Sequence, residues 1–125
     1  MKWINATIKV GSAWSIRRIL AFVRAPEAAQ QQVFRQLIDT AKNTLFGQKH
    51  HFQNIRTYQD FQAQVPLQTY EQLEPLIQRM LQGESNILWP GKTTWFSKSS
   101  GTTTGRSKYI PVTNANLQKC HLLGG

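Results

Sequence analysis

Ser97-Lys98-Ser99-Ser100-Gly101-Thr102-Thr103-Thr104-Gly105-Arg106-Ser107-Lys108 is the stretch on which the reading of this chain turns. Small hydroxyl residues, two glycines and three cations lie between Thr93-Thr94-Trp95-Phe96-Ser97 and Tyr109-Ile110-Pro111-Val112. These flanks are rich in β-branched and aromatic side chains and predict extended segments. A loop that binds phosphate needs glycines so that backbone N–H groups turn inward, hydroxyls that donate to phosphate oxygens, and a cation that offsets their charge. This loop has all three. A polar hairpin loop without a ligand has the same composition, so the residues alone leave both readings open.

Two common nucleotide fingerprints are excluded. Arg106-Ser107 stands where a Walker loop requires Lys-Ser/Thr, and no Gly-x-Gly-x-x-Gly occurs.

Upstream the pattern is helical. Ile4, Ala6, Ile8 and Val10 alternate with polar residues as in a strand, or belong to a short helix, until Gly11-Ser12 interrupts them. Ser12 can cap a helix carrying Ile16, Ile19, Leu20 and Val23 on one face. Pro26 and Glu27 suit a second helix start. Val33, Phe34, Leu37, Ile38, Ala41 and Leu45 extend that helix to about residue 46, with Gly47 expected to end it in a left-handed conformation. Thr57 with Asp60, and Thr69 with Gln72, have capping-box spacing. Val65-Pro66 predicts an extended exit from the first of these helices. Pro75 is expected to start a new helix through Leu76, Ile77, Met80 and Leu81, ending at Gly83. Ile87-Leu88-Trp89-Pro90 then reads as β-like, and Thr113 as the cap of a last helix.

The 125 residues are 40% hydrophobic, 17% charged and 10% aromatic, as in a folded domain rather than a disordered or collagen-like chain. Fifteen Lys and Arg against six Asp and Glu give a net charge of +9, which favours anionic partners without choosing among them. One cysteine, Cys120, excludes an internal disulfide framework, and Cys120-His121 lacks the remaining ligands of a zinc site. No apolar run approaches the ~20 residues of a membrane span, and no secretory leader is expected. A soluble protein of a reducing, cytoplasmic compartment is the expectation.

Three other groups are read as structural. His50-His51 follows a helix end and suits a surface or capping role. Trp89, Trp95 and Phe96 are expected to pack in a core rather than stack on a base. Lys2, Lys9, Arg17, Arg18 and Arg24 are read as a solvated face.

With its flanks the loop becomes more specific. Asn86-Ile87-Leu88-Trp89-Pro90-Gly91, then Trp95-Phe96-Ser97-Lys98-Ser99-Ser100-Gly101-Thr102-Thr103, then Ser107-Lys108-Tyr109-Ile110-Pro111-Val112-Thr113 resemble bacterial members of the auxin-responsive promoter (GH-three) family of acyl-acid amido synthetases. Ala41-Lys42-Asn43-Thr44, Phe46-Gly47, Tyr58, Phe61, Val65-Pro66-Leu67 and Tyr70-Glu71-Gln72-Leu73 resemble that family's N-terminal helical region.

The resemblance implies an adenylate-forming enzyme of the α/β class, here incomplete: a helical region over 12–83, then strand-loop-strand and the start of a helix over 84–125, with no complete second domain. It implies that Ser99, Ser100, Gly101, Thr102, Thr103, Thr104 and Gly105 cradle the phosphates of ATP, with Lys108 as the nearby cation and Mg2+ accompanying the nucleotide. The implied partners are a small carboxylic acid and an amine or amino acid: the acid attacks the α-phosphate, and the amine then displaces AMP. Such enzymes are several times longer. No catalytic residue and no protein metal ligand is expected here, and the chain is expected to be an N-terminal portion inactive by itself. The rival readings are a small basic nucleic-acid-binding module, disfavoured because its cations are scattered and no recognition motif occurs, and a non-catalytic remnant.

Overall fold

Four threonines start four helical segments, each in extended backbone and each with its hydroxyl accepting an N–H that the following turn leaves unpaired. The computed structural model describes residues 23–100 and 107–117. Expectations for the first segment at 4–10, most of the helix begun by Ser12, the loop centre at 101–106 and the chain beyond 117 lie outside these residues.

The chain divides into two compact units, residues 1–36 and 37–125. In the first, Val23 and Arg24 are helical and exposed, and helix α1 (Pro26–Ala41) begins with the expected Pro and Glu. Of its apolar stripe in this unit, Val33 is exposed and Phe34 half-buried.

The second unit takes the last turn of α1, where Ile38 and Ala41 are buried. The helix ends there rather than near residue 46. Thr44 is almost completely buried; its N–H and its hydroxyl both donate to the Ala41 carbonyl oxygen, at 3.0 and 2.7 Å. The same hydroxyl accepts the Gly47 N–H at 3.0 Å and so caps a new short helix, α2 (Leu45–Lys49). Its first two N–H groups, those of Leu45 and Phe46, donate to the carbonyls of Asn86 and Ile87 at 2.7 and 3.0 Å. A continuous helix would have consumed these donors internally, which is why the break occurs. Gly47 is therefore not a left-handed stop. It sits inside α2, where a Cβ would collide with the Ala41 carbonyl oxygen.

The 3₁₀ turn Phe52–Asn54 follows, then α3 (Tyr58–Gln64) and α4 (Tyr70–Leu81). Both capping boxes are formed as the spacing predicts, Thr57 with Asp60 and Thr69 with Gln72. Pro75 does not start a helix but lies inside α4. Its missing N–H deprives only the carbonyl of Glu71 in the first turn, on an exposed residue that water can reach. Leu73, Leu76, Ile77, Met80 and Leu81 form one stripe, with Ile77 and Met80 fully covered. Gly83, at φ +93°, closes α4: its N–H reaches Met80 and the Glu84 N–H reaches Arg79, a Schellman pair. The Arg79 guanidinium then grips the Glu84 carboxylate through three contacts of 2.7 to 3.0 Å.

Ile87-Leu88-Trp89-Pro90 is a bent loop, not a strand. Asn86, at φ +61°, sends its N–H to the Gly91 carbonyl and accepts the Gly91 N–H on its side-chain oxygen at 2.7 Å, closing the segment on itself. This folds Ile87 into the core beside Ile38, Ala41, Phe52, Ile55, Ile77 and Met80. An aromatic chain runs from Phe46 through Phe52 to Phe61 and Tyr58.

Strands β1 (Trp95–Ser99) and β2 (Lys108–Val112) pair antiparallel, Trp95 opposite Val112 and Ser99 opposite Lys108. The single helical turn Asn114–Asn116 follows, capped by Thr113. The described residues thus form a helical region followed by a two-stranded antiparallel sheet, consistent with an incomplete α/β domain. Of the three aromatics expected in a core, Trp95 is 65% exposed and Trp89 and Phe96 are half-buried.

Replacing Gly47 with Ala is expected to lower stability by about 1–3 kcal/mol, because the added methyl meets main chain rather than a flexible side chain. Urea unfolding of the two chains measures this.

Candidate functional site

The antiparallel register brings both ends of the hydroxyl-rich loop together. Ser99 and Lys108 face each other across the sheet, and the Ser99 hydroxyl donates to the Lys108 carbonyl at 3.4 Å. Ser100, exposed, continues from that mouth. Of the candidate phosphate-binding residues, Ser99, Ser100 and Lys108 are thereby neighbours at the start and end of the loop. Gly101, Thr102, Thr103, Thr104 and Gly105 lie outside the described residues.

What fixes this mouth is the first turn of α4. The Tyr109 N–H donates to the Tyr70 hydroxyl at 2.9 Å, so it points away from β1. In a strand the N–H directions alternate, so residue 111 presents the same outward side. That residue is Pro111, whose missing donor therefore costs no bond to β1.

The same turn also holds the cation. Lys108 Nζ lies 3.2 Å from Glu71 Oε1 and 4.8 Å from the centre of the Tyr70 ring. Lys98, opposite Tyr109 in the register, sits over the Tyr109 ring at 5.8 Å. The Lys108 and Glu71 side chains are 36% and 65% exposed, so the pair is open to solvent and contributes little to stability. Glu71 is held below the usual carboxylate range, first by its own backbone N–H, then by the Lys108 ammonium and the Thr69 hydroxyl. Asp60 is lowered by the backbone N–H groups of Arg56 and Thr57, and Glu84 by the Arg79 guanidinium.

Sequence reasoning selected Lys108 and missed Tyr70 and Glu71 as its neighbours. Their capping box was legible; its position against β2, 37 to 39 residues away, was not. His50, expected in a surface or capping role, is the C-cap of α2 but is buried: its ring contacts Phe46 and its Nδ1 lies 3.2 Å from the Gln64 carbonyl. Nδ1 is therefore the protonated nitrogen, donating to that oxygen, and the ring serves the core rather than the loop. His51 is exposed, in left-handed backbone. Among the described residues no cluster of three metal-ligating side chains occurs, and no helix is long and apolar enough to cross a membrane.

The GH3 family N-terminal domain model matches residues 15–124. This chain belongs to the GH3 family. Among its relatives, indole-3-acetic acid-amido synthetase GH3.2 of Arabidopsis thaliana is 29% identical over 123 residues, covering 98% of this chain and 22% of that protein. A probable indole-3-acetic acid-amido synthetase GH3.2 of Oryza sativa subsp. japonica is 31% identical over 101 residues, 80% of this chain and 16% of the relative. Indole-3-acetic acid-amido synthetase GH3.10 of Arabidopsis thaliana reaches 42% over 59 residues, 46% of this chain and 10% of its own length. The chain thus spans about a fifth of the length of the GH3 proteins it matches over most of its residues.

Two outcomes follow from the clamp on β2. Tyr70→Phe keeps the ring but leaves the Tyr109 N–H without its acceptor, and is expected to cost about 0.5–1.5 kcal/mol and to speed exchange of that amide, read by hydrogen–deuterium exchange. Glu71 titrates lower folded than unfolded, so its contribution is complete above the ordinary glutamate value of 4.5 and is lost as pH falls through the lower folded value. Glu71→Gln should flatten that part of the acid stability profile and leave the profile near neutral pH parallel to that of the parent.

Proposed function

We propose that this chain is the N-terminal part of an ATP-dependent acyl-acid amido synthetase, acting on a small carboxylic acid and an amine or amino acid in the cytoplasm. Membership in the GH3 family supports the general class. The observation that carries the nucleotide reading is the loop mouth, where Ser99, Ser100 and Lys108 converge at the ends of a segment holding two glycines and three threonines.

These residues fit a phosphate chain. The mouth carries the Ser99 hydroxyl and the Lys108 ammonium on residues paired across the sheet, and the Glu71 side chain on that ammonium is exposed enough to turn away into water. ATP supplies an activated α-phosphoryl group to the acid, with pyrophosphate leaving before the amine displaces AMP. In this reading Lys108 offsets charge on the outer phosphates, and Ser99, Ser100, Thr102, Thr103 and Thr104 donate hydrogen bonds. Gly101 and Gly105 let backbone N–H groups face the ligand. The hydroxyl and ammonium donors at the mouth suit an anion. Mg2+ in this reading comes on the nucleotide's own phosphates, as this ion commonly does. No general base is assigned to the chain.

The chain by itself is expected to bind ATP weakly and to release neither AMP nor pyrophosphate when given a carboxylic acid. Lys108→Ala should reduce that binding about tenfold, while lowering stability by no more than the ~1 kcal/mol of an exposed ion pair. Isothermal titration and thermal melts check both. ATP binding equal in parent and variant would remove Lys108 from the site. Binding to single-stranded nucleic acid that falls steeply with salt, without ATP binding, would favour the nucleic-acid reading.

A further inference from the structure

Lys108 is not a free surface lysine but one already engaged by two residues of another element, and neither belongs to the hydroxyl-rich loop. The Tyr109 amide is anchored on the Tyr70 hydroxyl, which fixes the main chain one residue from Lys108. The Tyr70 ring supports the ammonium from one side at 4.8 Å, where the negative face of the ring attracts a cation. Glu71 Oε1 meets it at 3.2 Å. Tyr70 and Glu71 are themselves placed by the Thr69–Gln72 capping box: the Thr69 N–H donates to Gln72 Oε1 at 2.8 Å, and the Gln72 N–H to the Thr69 hydroxyl at 3.4 Å. The cation is therefore carried at the loop mouth before any ligand arrives.

We propose that Tyr70 and Glu71 are positioning residues for Lys108: the Tyr70 ring supports the ammonium at the loop mouth, and the Glu71 carboxylate occupies it until a phosphate group takes its place. This rests on the phosphate reading of the loop given above. The exchange is favourable on general grounds. A solvent-exposed carboxylate–ammonium pair is worth little, whereas a phosphate presents more charge and more acceptor oxygens to the same ammonium. The Glu71 side chain, 65% exposed, has room to swing away. Its departure leaves the Tyr70 contact intact, so the ammonium stays at the mouth as its partner changes.

The two residues then have opposite effects on anion binding, which a shared structural role would not produce. Inorganic pyrophosphate is the probe, titrated into the 125-residue chain. Glu71→Gln removes the competitor and is expected to tighten pyrophosphate binding about two- to fivefold, the effect shrinking as salt rises. Tyr70→Leu removes the support and is expected to weaken binding; pyrophosphate bound as tightly as by the parent would overturn the role given to Tyr70. Glu74→Gln removes the same charge from the same helix three residues on and should change affinity less than Glu71→Gln does.

A measurement on the unmodified chain stands beside these variants. Lys108 is one of the groups that lowers Glu71, so saturation with pyrophosphate should raise the Glu71 titration, followed by carboxyl carbon NMR. The rise should be partial, because the Glu71 backbone N–H and Thr69 remain. Pyrophosphate that binds without moving the Glu71 titration overturns the proposal. So does unchanged or weaker binding by Glu71→Gln, or an equal gain from Glu74→Gln, while the phosphate reading of the loop stands. If neither the parent nor Glu71→Gln binds pyrophosphate while both give the amide spectrum of a folded chain, the phosphate reading fails and this inference falls with it.

Discussion

A two-stranded hairpin is marginal in water, and the geometry of the loop mouth depends on what secures it. In this protein the hydrogen bond from the Tyr109 amide to the Tyr70 hydroxyl joins β2 to the first turn of α4. The contact covers an edge N–H of the strand and places Glu71 within reach of Lys108. It also lies on the strand edge where the missing N–H of Pro111 is harmless. The register Ser99 opposite Lys108 then brings the two ends of a long polar loop side by side.

The helical side is tied to the same hairpin by a second device. Leu45 and Phe46 donate their helix-start N–H groups to Asn86 and Ile87, on the segment that leads into β1. Thr44 makes this possible by ending one helix and capping the next with a single hydroxyl, and Gly47 by leaving space for the Ala41 carbonyl. Thr44 is correspondingly buried, an unusual place for a helix cap and one where an unpaired hydroxyl would be costly. The closed Asn86–Gly91 loop supplies the other half of the junction. These contacts are polar and directional, and they specify the path of the chain more closely than the small apolar core could.

Membership in the GH3 family gives this arrangement its functional frame, and the loop mouth gives it a chemical one. The Lys108 ammonium lies against the Tyr70 ring and the Glu71 carboxylate, and in the proposed reading a ligand with several negative charges takes the carboxylate's place. The basic character of the whole chain, at +9, works in the same direction by attracting anions to it. The Lys108–Glu71 pair is exposed and adds little to folding.

The sequence by itself determined the local elements. Thr57 with Asp60, Thr69 with Gln72 and Gly83 could be read directly, because caps and left-handed stops are decided by neighbours within a few residues. It also determined the polar loop with Lys108 at its exit and the family resemblance. Only the tertiary structure decided where the second helix breaks, since the N–H groups of Leu45 and Phe46 are claimed by carbonyls some forty residues away. It turned the Ile87 segment into a loop by giving those carbonyls a helix to accept from. It carried Pro75 into a helix interior because the carbonyl it deprives faces water. And it chose Tyr70 and Glu71 as the partners of Lys108. That pairing depends on how a helix start meets a strand edge, and residue spacing along the chain carries no information about such a meeting.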